Sequence, residues 1–469
     1  MTQRRYPKYK PSRIEWLSDV PEHWEVKRLK NVATYWVSNV NKIPADDELP
    51  VRLCNYTDVY YHEHIKPNME LMETTASLDE IKRFGLRVGD VVITKDSEEW
   101  SDIAVAAIVV ESAPDLVCGY HLAIVRSHPL TLNGRFLLRA FQACAINQQF
   151  QIAATGVTRF GLPKSAIGEA WLPIPPLAEQ QAIADFLDCE TSKIDMLMVK
   201  KQTLIERLKE KRTALISRTA TKGLPPDAAR AAGFNPNPKL KPSGIEWLGD
   251  VPEHWNVKAI KWESAVLRGA SPRPIDNDIY FDDEGEYAWV RIADVSAAGM
   301  YLYETTQRLS ELGRSLSVPL QPGTLFLSIA GSVGKSCITA IKCCIHDGFV
   351  YFPFWHGETR FLYYLFASGE PYKGLGKLGT QLNLNTDTIG SIIAGFPDVI
   401  EQRTIADFLD SETAKIDQMV AKVETAIERL QEYRTALITA AVTGKIDVRK
   451  NATRQYVEIT KSYPQGINA

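Results

Sequence analysis

The chain has 469 residues, of which 45% are hydrophobic and 24% charged, with a formal net charge of −3. That balance excludes a disordered chain and leaves ample length for packed cores, but it lacks the overall basic excess of many nucleic-acid binders, so any positive surface is local. Seven cysteines, an odd number without a CxxC pair, do not read as a disulfide framework or a structural zinc site.

From the N-terminus, MTQRRYPKYK lacks the apolar stretch of a secretory signal, and the longest apolar run, IAVAAIVV at 103–110, is far too short to span a bilayer. A cytoplasmic location without membrane attachment is the expectation. The segment KPSRIEWLSDVPEHWEVK at 10–27 returns as KPSGIEWLGDVPEHWNVK at 241–258, with three of eighteen positions changed. Within it, Trp24 and Trp255 are expected to pack while His23 and His254 satisfy local hydrogen bonds. IADFLDCETSKID at 183–195 returns as IADFLDSETAKID at 405–417, and RTALI at 212–216 returns at 434–438. The chain is therefore a tandem duplication with offsets of 231 and then 222 residues. The enclosed stretches, 28–155 and 259–377, share little beyond scattered patterns.

Inside these inserts, LRVGDVVIT at 86–94 and LQPGTLFLS at 320–328 each predict a turn feeding a β-strand, which makes both inserts mixed α/β. His62 and His64 alternate as on one strand face, yet no carboxylate or cysteine spacing completes a metal site. GSVGKS at 331–336 fails as a phosphate loop because Ile329 stands where the first glycine is required, and it reads as a glycine-rich turn.

Prolines 173, 175 and 176, and Pro397 in the second copy, stop the preceding structure and set the start of a helix. Residues 179–221 and 401–443 predict two long helices. In the second, Leu409, Ile416, Val423, Leu430 and Leu437 recur every seven residues, with Met419, Ala426 and Tyr433 interleaved, as in a coiled-coil seam. The first has Leu187, Ile194, Lys201, Leu208 and Leu215 in register. Forty helical residues span about 60 Å, and the simplest packing pairs the helices as an antiparallel spacer. Lys200, Lys201, Arg207, Lys209, Lys211, Arg212, Arg218 and Lys222 read as a solvated face of the first helix. A proline-rich joint occupies 223–243. No dinucleotide fingerprint, base-methylation loop or nuclease cluster is visible, so no catalytic or metal-binding residues are assigned.

The IEWLxDVPEHW opening, the strand pattern around Gly89 and Gly323, G-x-T-R-x-x-L at 156–162, LPIPPLAEQ, IADFLDxET and RTALI together resemble the specificity subunits of type I restriction-modification systems, over nearly the whole chain. The second copy departs at Thr380 and Gln381, and at FPDVIEQ. The resemblance implies an α+β fold with two similar mixed α/β target-recognition domains, separated by long helices pairing as an antiparallel coiled coil, with an internal pseudo-twofold repeat. The expected divisions are 1–175 and 256–396 for the recognition domains, 176–222 and 397–449 for the helical spacers, 223–255 for the joint, and 450–469 for a polar tail.

It further implies a non-catalytic subunit whose domains each read one half of an asymmetric bipartite site in double-stranded DNA. The helices would set the gap and dock two methyltransferase subunits, with two restriction subunits in the full complex. S-adenosylmethionine, ATP and magnesium would belong to those partners. Candidate DNA-binding residues are Lys95, Arg126, Thr158 and Arg159 in the first domain, and Arg291, Lys335, Gln381 and Asn383 in the second, since arginine suits guanine and glutamine or asparagine suits adenine. Two other readings stay open: a coiled-coil scaffold with two protein-interaction domains, and the specificity part of another restriction or modification system.

Overall fold

The computed structural model describes residues 5–331, 333–373, 375 and 384–449; Thr380, Gln381, Asn383 and the 450–469 tail lie outside the described residues. The chain divides into two compact units, Met1–Lys201 with Thr425–Ala469, and Gln202–Glu424. Each unit therefore takes one part of each long helix.

Those helices run over Leu177–Lys222 and Val399–Val442, 46 and 44 residues. Pro175 and Pro176 disfavour helix before the first, and the Asp398 side chain accepts the Glu401 amide at 2.8 Å to open the second. Both end where a glycine takes a left-handed conformation, Gly223 at φ 86° and Gly444 at φ 72°.

Within the first unit, Leu187 and Ile194 share a core with Leu437, Ile438, Ala441 and Val442, while Arg434 Nε donates to Asp195 Oδ1 at 3.0 Å. Within the second, Ile216 and Ala220 share a core with Ile405 and Leu409, while Arg212 Nε donates to Asp417 Oδ1 at 2.9 Å. As one helix advances the other recedes, so the pairing is antiparallel in each unit. Arg212 and Arg434 open the two RTALI copies, and Asp195 and Asp417 close the two KID copies. Each arginine thus meets the aspartate of the other copy.

The seam is narrower than the heptad reading. Leu409, Ile416 and Leu437 are buried, but Leu208, Leu215, Val423 and Leu430 are half-buried, and Met419 and Tyr433 remain 42% and 50% exposed. Ile205, outside the heptad, is buried instead.

Each unit carries the same sheet. In the first, the order is Ala33–Val37, Leu122–Ser127, Val91–Thr94, Ala106–Val109 and His64–Ile65; in the second it is Leu267–Arg268, Phe349–Tyr351, Leu325–Ser328, Ser336–Thr339 and Tyr301–Leu302. Both sheets are covered on two faces. Val91, Ile93, Ile108, Ala123 and Val125 pack toward the helices, and Val92, Ala107, Val109, Leu122 and Ile124 pack toward a smaller sheet. Side chains alternate across a strand, and double burial explains why VVIT and LFLS read as unbroken apolar runs rather than alternating ones. The inserts diverge in sequence while keeping this order. Both predicted turns are present, with Gly89 at φ 90° and Gly323 at φ 88°.

Candidate nucleic-acid interface

The repeated motifs build a clasp that fixes each sheet to its helix. Glu179, in the first helical turn, accepts from Trp24 Nε1 at 3.1 Å and from Tyr6 Oη at 2.6 Å, and its other oxygen lies 2.8 Å from His23 Nε2. Glu401 repeats this with Trp255 Nε1 at 3.2 Å and His254 Nε2 at 2.8 Å. The histidine's partner is therefore not local, as the sequence suggested, but lies far along the chain on the helix that closes each domain. The adjacent Gln180 and Gln402 accept the backbone amides of Asn133 and Glu358 at 2.8 and 3.0 Å. Arg135 pairs with Asp185 and Asp188, as Arg360 pairs with Asp407 and Asp410.

Among the described residues, one charged network has no counterpart in the second unit. Arg139 and Arg434 both donate to Glu63 Oε2 at 2.9 Å, and Arg139 also pairs with Asp188. Burial alone would raise the Glu63 carboxyl, but the two guanidiniums outweigh it and hold it at about 2. In the second unit, Met300 stands before the strand equivalent to His64–Ile65, and Tyr364 takes the place of Arg139, donating to Asp410 at 2.7 Å.

The two sheets present different chemistry at the end where the central strand stops. In the first unit that strand is followed by Lys95 and Asp96. Asp96 Oδ2 lies 2.8 Å from Lys95 Nζ and 2.7 Å from His121 Nδ1; burial opposes its charge, yet these two hydrogen bonds hold the carboxyl below its ordinary range. Burial first, and then the neighbouring Arg159 charge, lower the proton affinity of His121. Arg159 Nη2 lies 3.0 and 3.2 Å from the two nitrogens of that ring.

Arg159 is carried on a hairpin whose strands, Thr155–Gly156 and Phe160–Gly161, pair with each other, the second also pairing with Asp96–Ser97. Gly156 sits at φ 147°, and a Cβ there would collide with the Arg159 carbonyl, so this tight return needs glycine. Trp100, 55% exposed, lies in the loop leaving the same strand end, and Tyr120, part exposed, precedes His121.

In the second unit the equivalent amide bond, Ile329 N to Gly348 O at 2.8 Å, matches Lys95 N to His121 O at 3.0 Å. Ile329, Ala330 and Gly348 thus replace Lys95, Asp96 and His121. The loop that follows is GSVGK, where Gly331 and Gly334 take φ 67° and 84° and Lys335 Nζ donates to the Ser296 carbonyl at 2.7 Å. Beside it, Asp347 accepts from Ser271 Oγ at 2.7 Å and Arg273 Nη2 at 3.0 Å, and the Ser271 hydroxyl chiefly holds its carboxyl low. Arg268 donates to the Asp347 carbonyl.

The structure brings Lys95 and Arg159 into one cluster, with Thr158 exposed beside them. Arg126 is turned inward. It grips Asp90, which is 1% exposed, through bonds of 2.7 and 2.6 Å, and stacks over Trp36. Releasing it would strand a buried carboxylate, so its role is to brace the Gly89 turn rather than to face a base. Arg291 is exposed just before the Ile292–Ala297 helix, and Lys335 lies on the rim loop. Sequence reasoning missed Asp96, His121, Arg268 and Arg273. Aligning the two G-D/T turns places Lys95 opposite Ile329, a contrast that marks the rim without any structure.

Two α+β modules with one sheet order, each clasped to long helices shared between the repeats, define a duplicated recognition protein rather than an enzyme built around one cleft. The sequence profile of the type I restriction modification DNA specificity domain matches residues 21–207 and 255–429, more than half of the chain, and the chain belongs to that family. It is the non-catalytic specificity component of a type I restriction-modification system, and it assembles with other subunits.

Two Methanocaldococcus jannaschii proteins are similar over nearly their whole length. One, assigned as the type I restriction enzyme MjaX specificity subunit, is 22% identical over 92% of this chain and 96% of its own. The other, the type I restriction enzyme MjaVIII specificity subunit, is 22% identical over 92% and 94%. Among solved structures, a chain from work on complex assembly and conformational transition of the type I R-M system aligns with TM-score 0.63 at 16% identity, covering 90% of this chain and 98% of that one. The HsdS subunit from Thermoanaerobacter tengcongensis aligns with TM-score 0.51 at 18% identity, covering 91% and 98%. These likenesses show the fold.

Proposed function

We propose that each sheet rim reads one half of an asymmetric, bipartite site in double-stranded DNA, and that the paired helices set the gap between halves and seat two methyltransferase subunits. Two restriction subunits complete the nuclease form of the complex. S-adenosylmethionine, ATP and magnesium are bound by those partners. The observation that carries this reading is the pairing of one strand order with two unlike rims, Lys95–Asp96–His121–Arg159 in one unit and Gly331–Lys335 with Arg268, Arg273 and Asp347 in the other. A shared frame gives equivalent docking geometry, and unlike side chains give unlike base preferences. Basic partner subunits would supply the positive field that a chain of net charge −3 lacks.

The test is methylation mapping by single-molecule sequencing of DNA from cells producing this chain with its methyltransferase subunit, against cells lacking this chain. A new motif of two unlike halves around an unread gap is expected. A stable complex that methylates no new motif would refute the reading.

A further inference from the structure

We propose that Arg159 reads a guanine, so that the half-site bound by the first unit contains a G·C pair, with His121 and Asp96 as positioning residues; this rests on the DNA-specificity reading above. The argument begins at Asp96. Its carboxylate lies 2.7 Å from His121 Nδ1, which places an imidazole proton on Nδ1 and fixes the orientation of the ring. Arg159 Nη2 lies 3.0 and 3.2 Å from the two ring nitrogens, nearly equidistant, so it rests over the face of the imidazole and not in the plane of either lone pair.

The guanidinium is thereby placed against a fixed ring face. Among the described residues Arg159 has no other hydrogen-bond partner, so a full edge of two N–H groups stays open. That edge is the shape that pairs with the adjacent O6 and N7 acceptors of guanine in the major groove. The mounting is rigid on both sides. The hairpin is zipped to Asp96–Ser97 behind the arginine, and Lys95 Nζ holds Asp96 from the other side at 2.8 Å. An arginine ordered before binding loses less freedom on contact, which favours a specific role over a loose phosphate contact. Val157, 91% exposed at the same tip, offers an apolar surface next to the edge. Among the described residues the second unit has Ile329, Ala330 and Gly348 at the positions matching Lys95, Asp96 and His121.

The experiment uses the full chain coexpressed with its methyltransferase subunit, and maps the methylated motif for the unsubstituted chain and for Arg159→Lys, Arg159→Gln, His121→Phe and His121→Gln. Arg159→Gln, whose amide suits adenine, should lower the preference for G at one position of one half by about tenfold or more, with a smaller loss for Arg159→Lys, and leave the other half and the gap unchanged. His121→Gln, which removes the ring on which the guanidinium rests, should relax the same position. His121→Phe, which keeps a flat ring beneath Arg159, should retain most of it, which a histidine acting only through its bond to Asp96 would not predict. Uniform weakening at all sequences, with a shallower salt dependence, would identify a phosphate contact and overturn the proposal. An unchanged motif for both Arg159 variants would overturn it as well. If the unsubstituted chain gave no motif, the specificity reading would fail first, and that outcome is distinct from the other two.

Discussion

The clasps and the rims of the two units have diverged by opposite rules. The clasp repeats Trp, His and Glu in the same roles in both copies, whereas the rims share a strand order and scarcely a residue. A buried carboxylate that satisfies an indole and an imidazole cannot change alone, because any single change leaves a polar group unpaired in the interior. The rim side chains bond to one another and not to the core beneath, Lys95 and His121 both to Asp96, so the set can change together without leaving a polar group of the interior unpaired. Interior polar networks therefore preserve the frame, and strand ends are where the copies acquire different targets.

Breaking the clasps tests the first half of that contrast and should give the largest effects. Glu179→Ala removes the acceptor of Trp24, Tyr6 and His23 and should destabilise the first unit by about 3 kcal/mol, measured by denaturant unfolding. Glu401→Ala, with no tyrosine in its clasp, should cost visibly less in the second unit. Equal losses would mean that the tyrosine bond contributes nothing.

The network around Glu63 sharpens the contrast, since among the described residues it belongs to the first unit alone. The carboxyl is held at about 2 against an ordinary 4.5, so the folded state binds its proton less readily than the unfolded chain. The stability it confers is complete above about pH 4.5 and is lost as the pH falls toward 2, a total on the order of 3 kcal/mol. Glu63→Gln should flatten the acid limb of the stability profile in that window; an unchanged limb would show that other carboxylates dominate it.

At the second rim, Gly334→Ala forces a side chain onto φ 84° and against the Tyr372 ring, and should cost about 1–2 kcal/mol in a thermal melt. The smallest effect on stability is expected from giving the first rim the second's residues. Lys95→Ile with Asp96→Ala should change stability by less than about 1 kcal/mol while altering the methylated motif in one half alone. A collapse of the fold would show that the rim is part of the frame after all.

Much of this was legible in the sequence, for physical reasons that differ by element. The long helices were plain because forty residues without Gly or Pro leave few alternatives, and the Gly89 and Gly323 turns because a left-handed position selects glycine. The common sheet was hidden, since strands buried on both faces need only be apolar, and VVIT and LFLS need not resemble each other. The clasp partner was hidden too, because nothing in PEHW announces a glutamate 156 residues away. Arg126 misled for the converse reason: a strand-end arginine looks the same in sequence whether it faces solvent or grips Asp90. The 381 and 383 positions lie outside the described residues.

One feature of the first unit governs the order of events at the ribosome. Its core holds Tyr6 together with Ile446 and Val448, and Tyr9 Oη donates to the Gly444 carbonyl at 3.0 Å, so residues near both ends of its described chain are neighbours. The second unit, Gln202–Glu424, is one unbroken stretch of chain. It can finish folding while the first still waits for residues about 250 positions downstream of its own helix, roughly 10–50 s at ordinary elongation rates. During that interval Leu187 and Ile194 lack the partners they have in the finished protein. The half that emerges first is completed last, and a chain that ends just after residue 424 has every residue of the second unit while the first still lacks its part from Thr425 onward.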